Sequence, residues 1–266
     1  MSKVVLITGA ASGLGWALVQ AYLAAGNRVV LADQDEKLLR QREAEISVRF
    51  DNKSPVLISV CDVTDRLQLV ALILAVERHF GQLDVLVNNA GITHRSAAGK
   101  TDVKVLKKVM AVDWQGPVDL TLLALPLLER SRGKIICIGS MAGWMPVPGR
   151  AAYCAAKSAL AQFFEVLRLE VAAQGVSVLM VYPSFLETPI ERNALGHDGH
   201  PAAHARSTVG NIRSAEWMAD KIISAAEQNK SSLFTDRLAS FGSILWRVWP
   251  SLYMRLIKRR FASELG

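Results

Sequence analysis

Val4-Val5-Leu6-Ile7-Thr8-Gly9-Ala10-Ala11-Ser12-Gly13-Leu14-Gly15, VVLITGAASGLG, carries an apolar, β-rich run straight into three glycines and then into a helical stretch. Glycines let the chain turn tightly and let backbone approach a pyrophosphate. The N-terminal dipole of a helix beginning near Gly13 favours that negative charge. A glycine cluster in an arbitrary loop says little. After a buried strand and before a helix, it points to a dinucleotide site formed by Gly9, Ser12, Gly13, Leu14 and Gly15.

The same rhythm continues outward to about residue 235. RVVLA (28–32), PVLISV (55–60), DVLVN (84–88), KIICIG (134–139) and VSVLMV (176–181) are short runs that are continuously apolar rather than alternating, as parallel strands covered on both faces should be. Helical stretches lie between them at 13–25, 65–80, 102–131 and 151–173. This alternation predicts an α/β fold, a single doubly wound Rossmann-like domain with a parallel sheet over residues 1–236. Two segments break the rhythm: 184–213, rich in turn formers, and a tail at 237–266 expected to be a C-terminal helical extension.

The 266 residues, 51% of them hydrophobic, suffice for one large core. No run reaches the roughly 18 apolar residues of a spanning helix. MSKVVLITGA enters a strand at once, so no signal peptide is expected. Cys61, Cys137 and Cys154 lack zinc or CxxC spacing and read as reduced thiols of a cytoplasmic protein, Cys154 as a packing residue. The formal charge of +7 permits an anionic partner, depending on where the charges lie.

The second strand ends in Asp33, about two dozen residues after Gly9, where a carboxylate can accept hydrogen bonds from both adenosine ribose hydroxyls. The alternative is a helix cap, since DQDEKLL begins there. Farther on, Tyr153-Cys154-Ala155-Ala156-Lys157, YCAAK, puts a phenol and an ammonium on one helical face. By itself that pair fits a covered core surface as well as a catalytic site.

Taken in order, TGAASGLG, Cys61-Asp62-Val63, Asn88-Asn89-Ala90-Gly91, Ser140, YCAAK and Val181-Tyr182-Pro183 with Thr188 beyond resemble the short-chain dehydrogenase/reductase family over about residues 3–235. The resemblance implies an NAD(P)-dependent oxidoreductase acting on an alcohol or carbonyl substrate, with hydride passing between substrate carbon and nicotinamide C4. It makes Tyr153 the general acid/base, Lys157 the group that lowers its pKa and holds the nicotinamide ribose, and Ser140 the partner of the substrate oxygen. It puts Asp62 and Val63 at the adenine, Asn88, Asn89, Ala90 and Gly91 at the adenosine ribose, and Pro183 and Thr188 at the nicotinamide. Asp33 would repel a 2′-phosphate, Gln34 stands where phosphate-binding relatives often carry Arg, and the glycine loop has no basic residue. NAD is therefore expected over NADP, although Lys37 and Arg40 lie on the next helix.

Two positions depart from the family pattern. Asp113, in Asp113-Trp114-Gln115-Gly116, stands where an Asn usually serves a proton relay from the tyrosine, and it is placed with the catalytic residues as one able to oppose Lys157 electrostatically. Pro183-Ser184 replaces the usual Pro-Gly.

Residues 184–213 are expected to cover the nicotinamide as a lid, with His197, His200 and His204 solvated rather than bound to metal; no metal is expected. Met141, Trp144, Met145 and Val147 are expected to wall an apolar pocket for a lipophilic alcohol or ketone. In the tail, Ile244, Leu245, Val248, Trp249, Leu252, Tyr253, Leu256 and Ile257 recur at helical spacing beside Arg247, Arg255, Lys258, Arg259 and Arg260, with Pro250 permitting a break. Such a tail packs over the substrate lobe or a neighbouring subunit, or makes peripheral contact with a membrane. A homodimer or homotetramer is expected. Nucleic acid is not, since no binding motif accompanies the charge.

Overall fold

A computed structural model describes residues 2–50, 56–202 and 212–260. Strands β1 (Val4–Thr8), β2 (Arg28–Asp33), β3 (Val56–Val60), β4 (Val85–Asn88), β5 (Lys134–Ile138), β6 (Ser177–Tyr182) and β7 (Ser232–Phe234) form one sheet in the order β3-β2-β1-β4-β5-β6-β7. Every neighbouring pair is parallel. The helices are α1 (Gly13–Ala24), α2 (Glu36–Arg49), α3 (Arg66–Phe80), α4 (Val103–Met110), α5 (Gly116–Ser131), α6 (Ala151–Glu170), α7 (Ala215–Glu227), α8 (Arg237–Val248) and α9 (Pro250–Arg260).

All five residues of β1 are buried, because both faces of the strand are covered. Val4 and Leu6 pack with Leu69 and Leu72 of α3, Leu120 of α5 and Phe164 of α6. Val5 and Ile7, pointing the other way, pack with Leu18 of α1 and Met218 and Ile222 of α7. Each such side chain contributes roughly 1.5–3 kcal/mol by leaving water, which is why continuous apolar runs mark this sheet. β1 is flanked by β2 on one side and, after the chain crosses back from β3, by β4 on the other, so the strand order reverses beside it. The crevice at the carboxyl ends of these strands is where such sheets bind ligands.

The secondary structure and tail differ from the sequence expectation in three places. The stretch 102–131 is two helices joined by a π turn at Ala111–Gln115. Pro117 accounts for the change, since it has no N–H to donate to the carbonyl of Asp113 four residues back. Strand β7 has only three residues, and α2 and α7 also lie outside the stretches marked from the apolar pattern. The tail forms two helices that break before Pro250 and pack on each other, with Trp246 and Tyr253 rings 5.7 Å apart. It folds back onto the body: Tyr253 Oη donates to the Pro146 carbonyl at 3.0 Å, and Arg247 lies 4.2 Å from the Trp144 ring centre. Residues 261–266 of the expected extension lie outside the described residues.

Candidate active site

The glycine loop joins β1 to α1. Gly9 has φ 62°, which disfavours any residue with a Cβ, and a Cβ on Gly15 would come within 2.0 Å of the Gly9 carbonyl oxygen. Asn89, the residue after β4, clamps this turn, its Nδ2 donating to Thr8 O at 2.9 Å and Gly9 O at 3.2 Å. Thr8 Oγ1 accepts from the Asn89 and Ala90 amides, both at 3.0 Å. Ser12 is the extended N-cap of α1, and its side chain makes no cap bond. That leaves the hydroxyl and the first amides of α1 for an anion.

Asp33 accepts from Ala11 N at 3.0 Å and Asp35 N at 3.1 Å. The cap of α2 is Asp35, which accepts from Leu38 N at 2.9 Å, so Asp33 does not serve that helix. Asp62 holds Thr64 through its N–H at 2.9 Å and its hydroxyl at 2.8 Å. A cleft of about 1180 Å³ is lined by Gly9, Ser12, Gly13, Leu14, Asp33, Asp62, Val63, Asn89, Ala90, Gly91, Pro183 and Thr188. Gly15 stays behind the loop as a close-packing residue. The tight turn, the free helix terminus and the acidic strand end fit a dinucleotide. Asn88 does not join them: successive residues of a strand face opposite ways, and its Nδ2 donates to Thr121 Oγ1 at 2.8 Å inside the core.

The same cleft reaches Ser140, Tyr153 and Lys157. Ser140 follows β5 and caps the turn Met141–Gly143, accepting from Ala142 N at 3.1 Å. Tyr153 and Lys157 are one turn apart on α6, with Lys157 Nζ 5.7 Å from the phenol ring centre. Lys157 is buried and donates to Ile138 O at 3.1 Å. Its other partner is Asp113, completely buried in the π turn, at 3.3 Å from Nζ to Oδ2. Asp113 Oδ1 accepts from Ile92 N at 2.8 Å, beyond Gly91. Burial raises the Asp113 carboxyl pKa against the opposing pull of the Lys157 ammonium. Burial also works against the Lys157 charge, but Asp113, followed by Tyr153 and Cys137, outweighs it and holds the ammonium above the usual lysine range.

On the far side the cleft is bounded by Met141, Met145, Val147, Phe185, Leu186 and Ile190, then by Phe241, Leu245, Leu256 and Ile257 of the tail. Trp144, expected in this wall, turns away and packs against Tyr182 at 5.2 Å and Phe234 at 5.3 Å. Ser184, at the second departure from the family pattern, donates through Oγ to Asp236 Oδ2 at 3.0 Å, and its amide donates to Thr235 Oγ1 at 3.3 Å. These bonds tie the start of the covering segment to the root of α8, a tertiary contact with no local signal. Within that segment Leu195 N donates to Thr93 O at 2.9 Å, and Glu187 N donates to Arg213 O at 2.9 Å. Among the described residues no group of three or more His, Cys, Asp or Glu could hold a metal ion. His204 lies outside the described residues.

A family model of short chain dehydrogenases matches residues 3–198. The chain belongs to the short-chain dehydrogenase/reductase family. This short-chain dehydrogenase/reductase is 33% identical over 267 residues to Dehydrogenase/reductase SDR family member 7B of Mus musculus, covering 99% of this chain and 82% of that one. It is also 33% identical to Dehydrogenase/reductase SDR family protein 7-like of Drosophila melanogaster, over 97% and 80% of the two chains. A solved short-chain dehydrogenase from Streptomyces avermitilis superposes with a TM-score of 0.79 at 27% identity, covering 99% of this chain and 97% of that one. Membership makes the protein a nicotinamide-dependent oxidoreductase.

One buried group in this short-chain dehydrogenase/reductase was not signalled by any motif. His94 is fully buried, and neither ring nitrogen has a hydrogen-bond partner among the described residues. Burial, with Arg150 second, pushes its pKa from 6.5 to about 4. The unfolded chain therefore takes up a proton below 6.5 that the folded protein refuses until about 4, and stability rises with pH across that window. The loss of urea midpoint between about pH 7 and pH 5 should be smaller in His94→Gln than in the wild type. Parallel losses would show that His94 does not set this dependence.

Proposed function

We propose that the protein oxidises a lipophilic secondary alcohol, or reduces the matching ketone, with NAD as preferred cofactor. The observation that carries this reading is the convergence of Ser140, Tyr153 and Lys157 on a cleft whose far wall is apolar. Bound NAD supplies hydride acceptance, and its reduced form supplies hydride donation. Gly9, Ser12, Gly13 and Leu14 would hold the pyrophosphate, Asp33 the adenosine ribose, and Asp62, Val63, Asn89, Ala90 and Gly91 the adenine half. Pro183 and Thr188 would flank the nicotinamide, with Gly15 and Asn89 fixing the loop geometry.

Ser140 Oγ would hold the substrate oxygen while Tyr153 Oη takes the hydroxyl proton in oxidation or returns it in reduction. Lys157 would stabilise the phenolate by its charge, and Asp113 would temper that charge. Residues 184–213 would act as the lid that excludes water. A screen of aliphatic and aromatic alcohols followed by NADH absorbance tests the reading; no turnover across the panel, with either cofactor, would overturn it. That result would instead favour a cofactor-binding regulatory protein, for which the Asp113–Lys157 pair is the supporting observation.

The cofactor preference follows from charge. Arg42, the cation beside the glycine loop, donates to Ala11 O at 2.9 Å and is paired with Glu45 at 2.8 Å, while Arg40 is paired with Glu43 at 3.1 Å. Neither stands uncompensated to receive a 2′-phosphate, and Asp33 opposes one. NADH should bind about tenfold more tightly than NADPH, and Asp33→Asn, which keeps an acceptor for the loop, should narrow the gap to about threefold. Preference of the wild type for NADPH would refute the charge argument. Exposed Leu122, Val166 and Leu169 support a homodimer or homotetramer, and three free cysteines support a reducing, cytoplasmic setting.

A further inference from the structure

We propose that α8 and α9 dock on an anionic lipid surface and that the cleft mouth they frame receives substrate from that surface. The second half rests on the lipophilic-substrate reading above; the docking does not.

Charge points to this element. Residues 237–260 contain six basic side chains and no acidic one, against a formal +7 for the whole chain. Exposed Arg247, Arg255, Lys258 and Arg259 accompany apolar residues that ought to be covered. Phe241, Ile244 and Val248 share one face of α8 and are 61%, 58% and 77% exposed, and Trp249 at the break is 62% exposed. Met254 and Leu256 continue the apolar surface on α9. Aromatic and aliphatic side chains set among cations suit the boundary between acyl chains and anionic headgroups.

The competing occupants fit less well. A second copy laid on this face would oppose two sets of cations with no acidic partner. A nucleic acid would satisfy the cations but leave Ile244, Val248 and Met254 in water. No helix among the described residues is long and apolar enough to cross a membrane, so the element lies on the surface. The mouth is continuous with it: Phe241 and Leu256 are exposed and also line the cleft, with Leu245, Tyr253 and Ile257 leading inward. An apolar molecule can thus pass from lipid to the Ser140–Tyr153 end along apolar contacts.

The test is sedimentation of the full chain with phosphatidylcholine vesicles and with vesicles containing about one-third phosphatidylglycerol. Binding to the anionic vesicles should be at least about tenfold tighter and should weaken in roughly 0.5 M salt. A double variant, Val248→Glu with Trp249→Glu, alters no residue that lines the cleft. It should lose about tenfold or more of this binding while turning over a water-soluble alcohol at the wild-type rate. Absence of sedimentation, unchanged binding by the double variant, equal affinity for duplex DNA, or a doubled mass in light scattering that the variant abolishes would each overturn docking. If docking holds but a vesicle-embedded long-chain alcohol is oxidised no faster by wild type than by the double variant, the delivery route is overturned. Docking without turnover of any alcohol would instead count against the substrate reading alone.

Discussion

Tyr153→Phe should lower kcat by roughly two to four orders of magnitude while leaving NADH affinity within about twofold of the wild type. The substitution removes one oxygen and keeps the ring, which packs against the buried cluster of Val109, Ala152 and Ala156. Folding and the Lys157–ring contact at 5.7 Å therefore survive. What is lost is the atom proposed to exchange a proton with the substrate oxygen. The glycine loop, Asp33 and Asp62, the proposed NADH contacts, lie elsewhere in the cleft, so a fluorescence titration of NADH should barely change. Steady-state turnover of the best substrate from the alcohol screen gives the other readout. Residual kcat within about tenfold of wild type would remove Tyr153 from the acid/base role.

The parts of this site that can be read from sequence are those set by local backbone demands. Gly9 and Gly15 announce themselves because a positive φ and a 2.0 Å approach exclude other residues, and YCAAK does so because a helix brings residues four apart together. What could not be read depends on rotation or distant partners. Asn88 and Asn89 look equivalent in sequence, but the alternation of β4 sends one to Thr121 in the core and the other to the glycine loop. Trp144 follows Ser140 closely yet turns to Tyr182 and Phe234, because β7, too short to stand out as an apolar run, provides a ring for it to pack on. Ser184 meets Asp236 across 52 residues, and burial of His94 depends on strands and loops brought together from the whole chain. The tail was legible as helical and amphipathic, but its fold onto Pro146 and Trp144 required the tertiary structure.

Asp113→Asn should move the pH profile of alcohol oxidation toward neutrality. Lys157 Nζ lies 3.3 Å from Asp113 Oδ2 and 5.7 Å from the Tyr153 ring centre, so the carboxylate cancels part of the field that the ammonium exerts on the phenol. A charge about 6 Å away at an effective dielectric near 20 is worth roughly 2–3 kcal/mol, or about two pKa units. Removing the negative charge favours the phenolate, lowers the apparent pKa of the base and lets oxidation proceed at lower pH. Near pH 7 the variant should then oxidise up to about a hundredfold faster, provided the ionisation limits the wild type. Ketone reduction needs the protonated phenol, so its rate should begin to fall at correspondingly lower pH in the variant. The amide can keep Oδ1 as acceptor for Ile92 N, and Lys157 keeps its bond to Ile138 O, so the π turn and α6 retain their connection. Thermal unfolding and NADH titration at one pH would detect a merely structural defect, which should lower both directions of reaction together. Superimposable profiles, or a shift of oxidation to higher pH, would eliminate the coupling, because only a charge acting on Tyr153 moves oxidation and reduction limbs downward in concert.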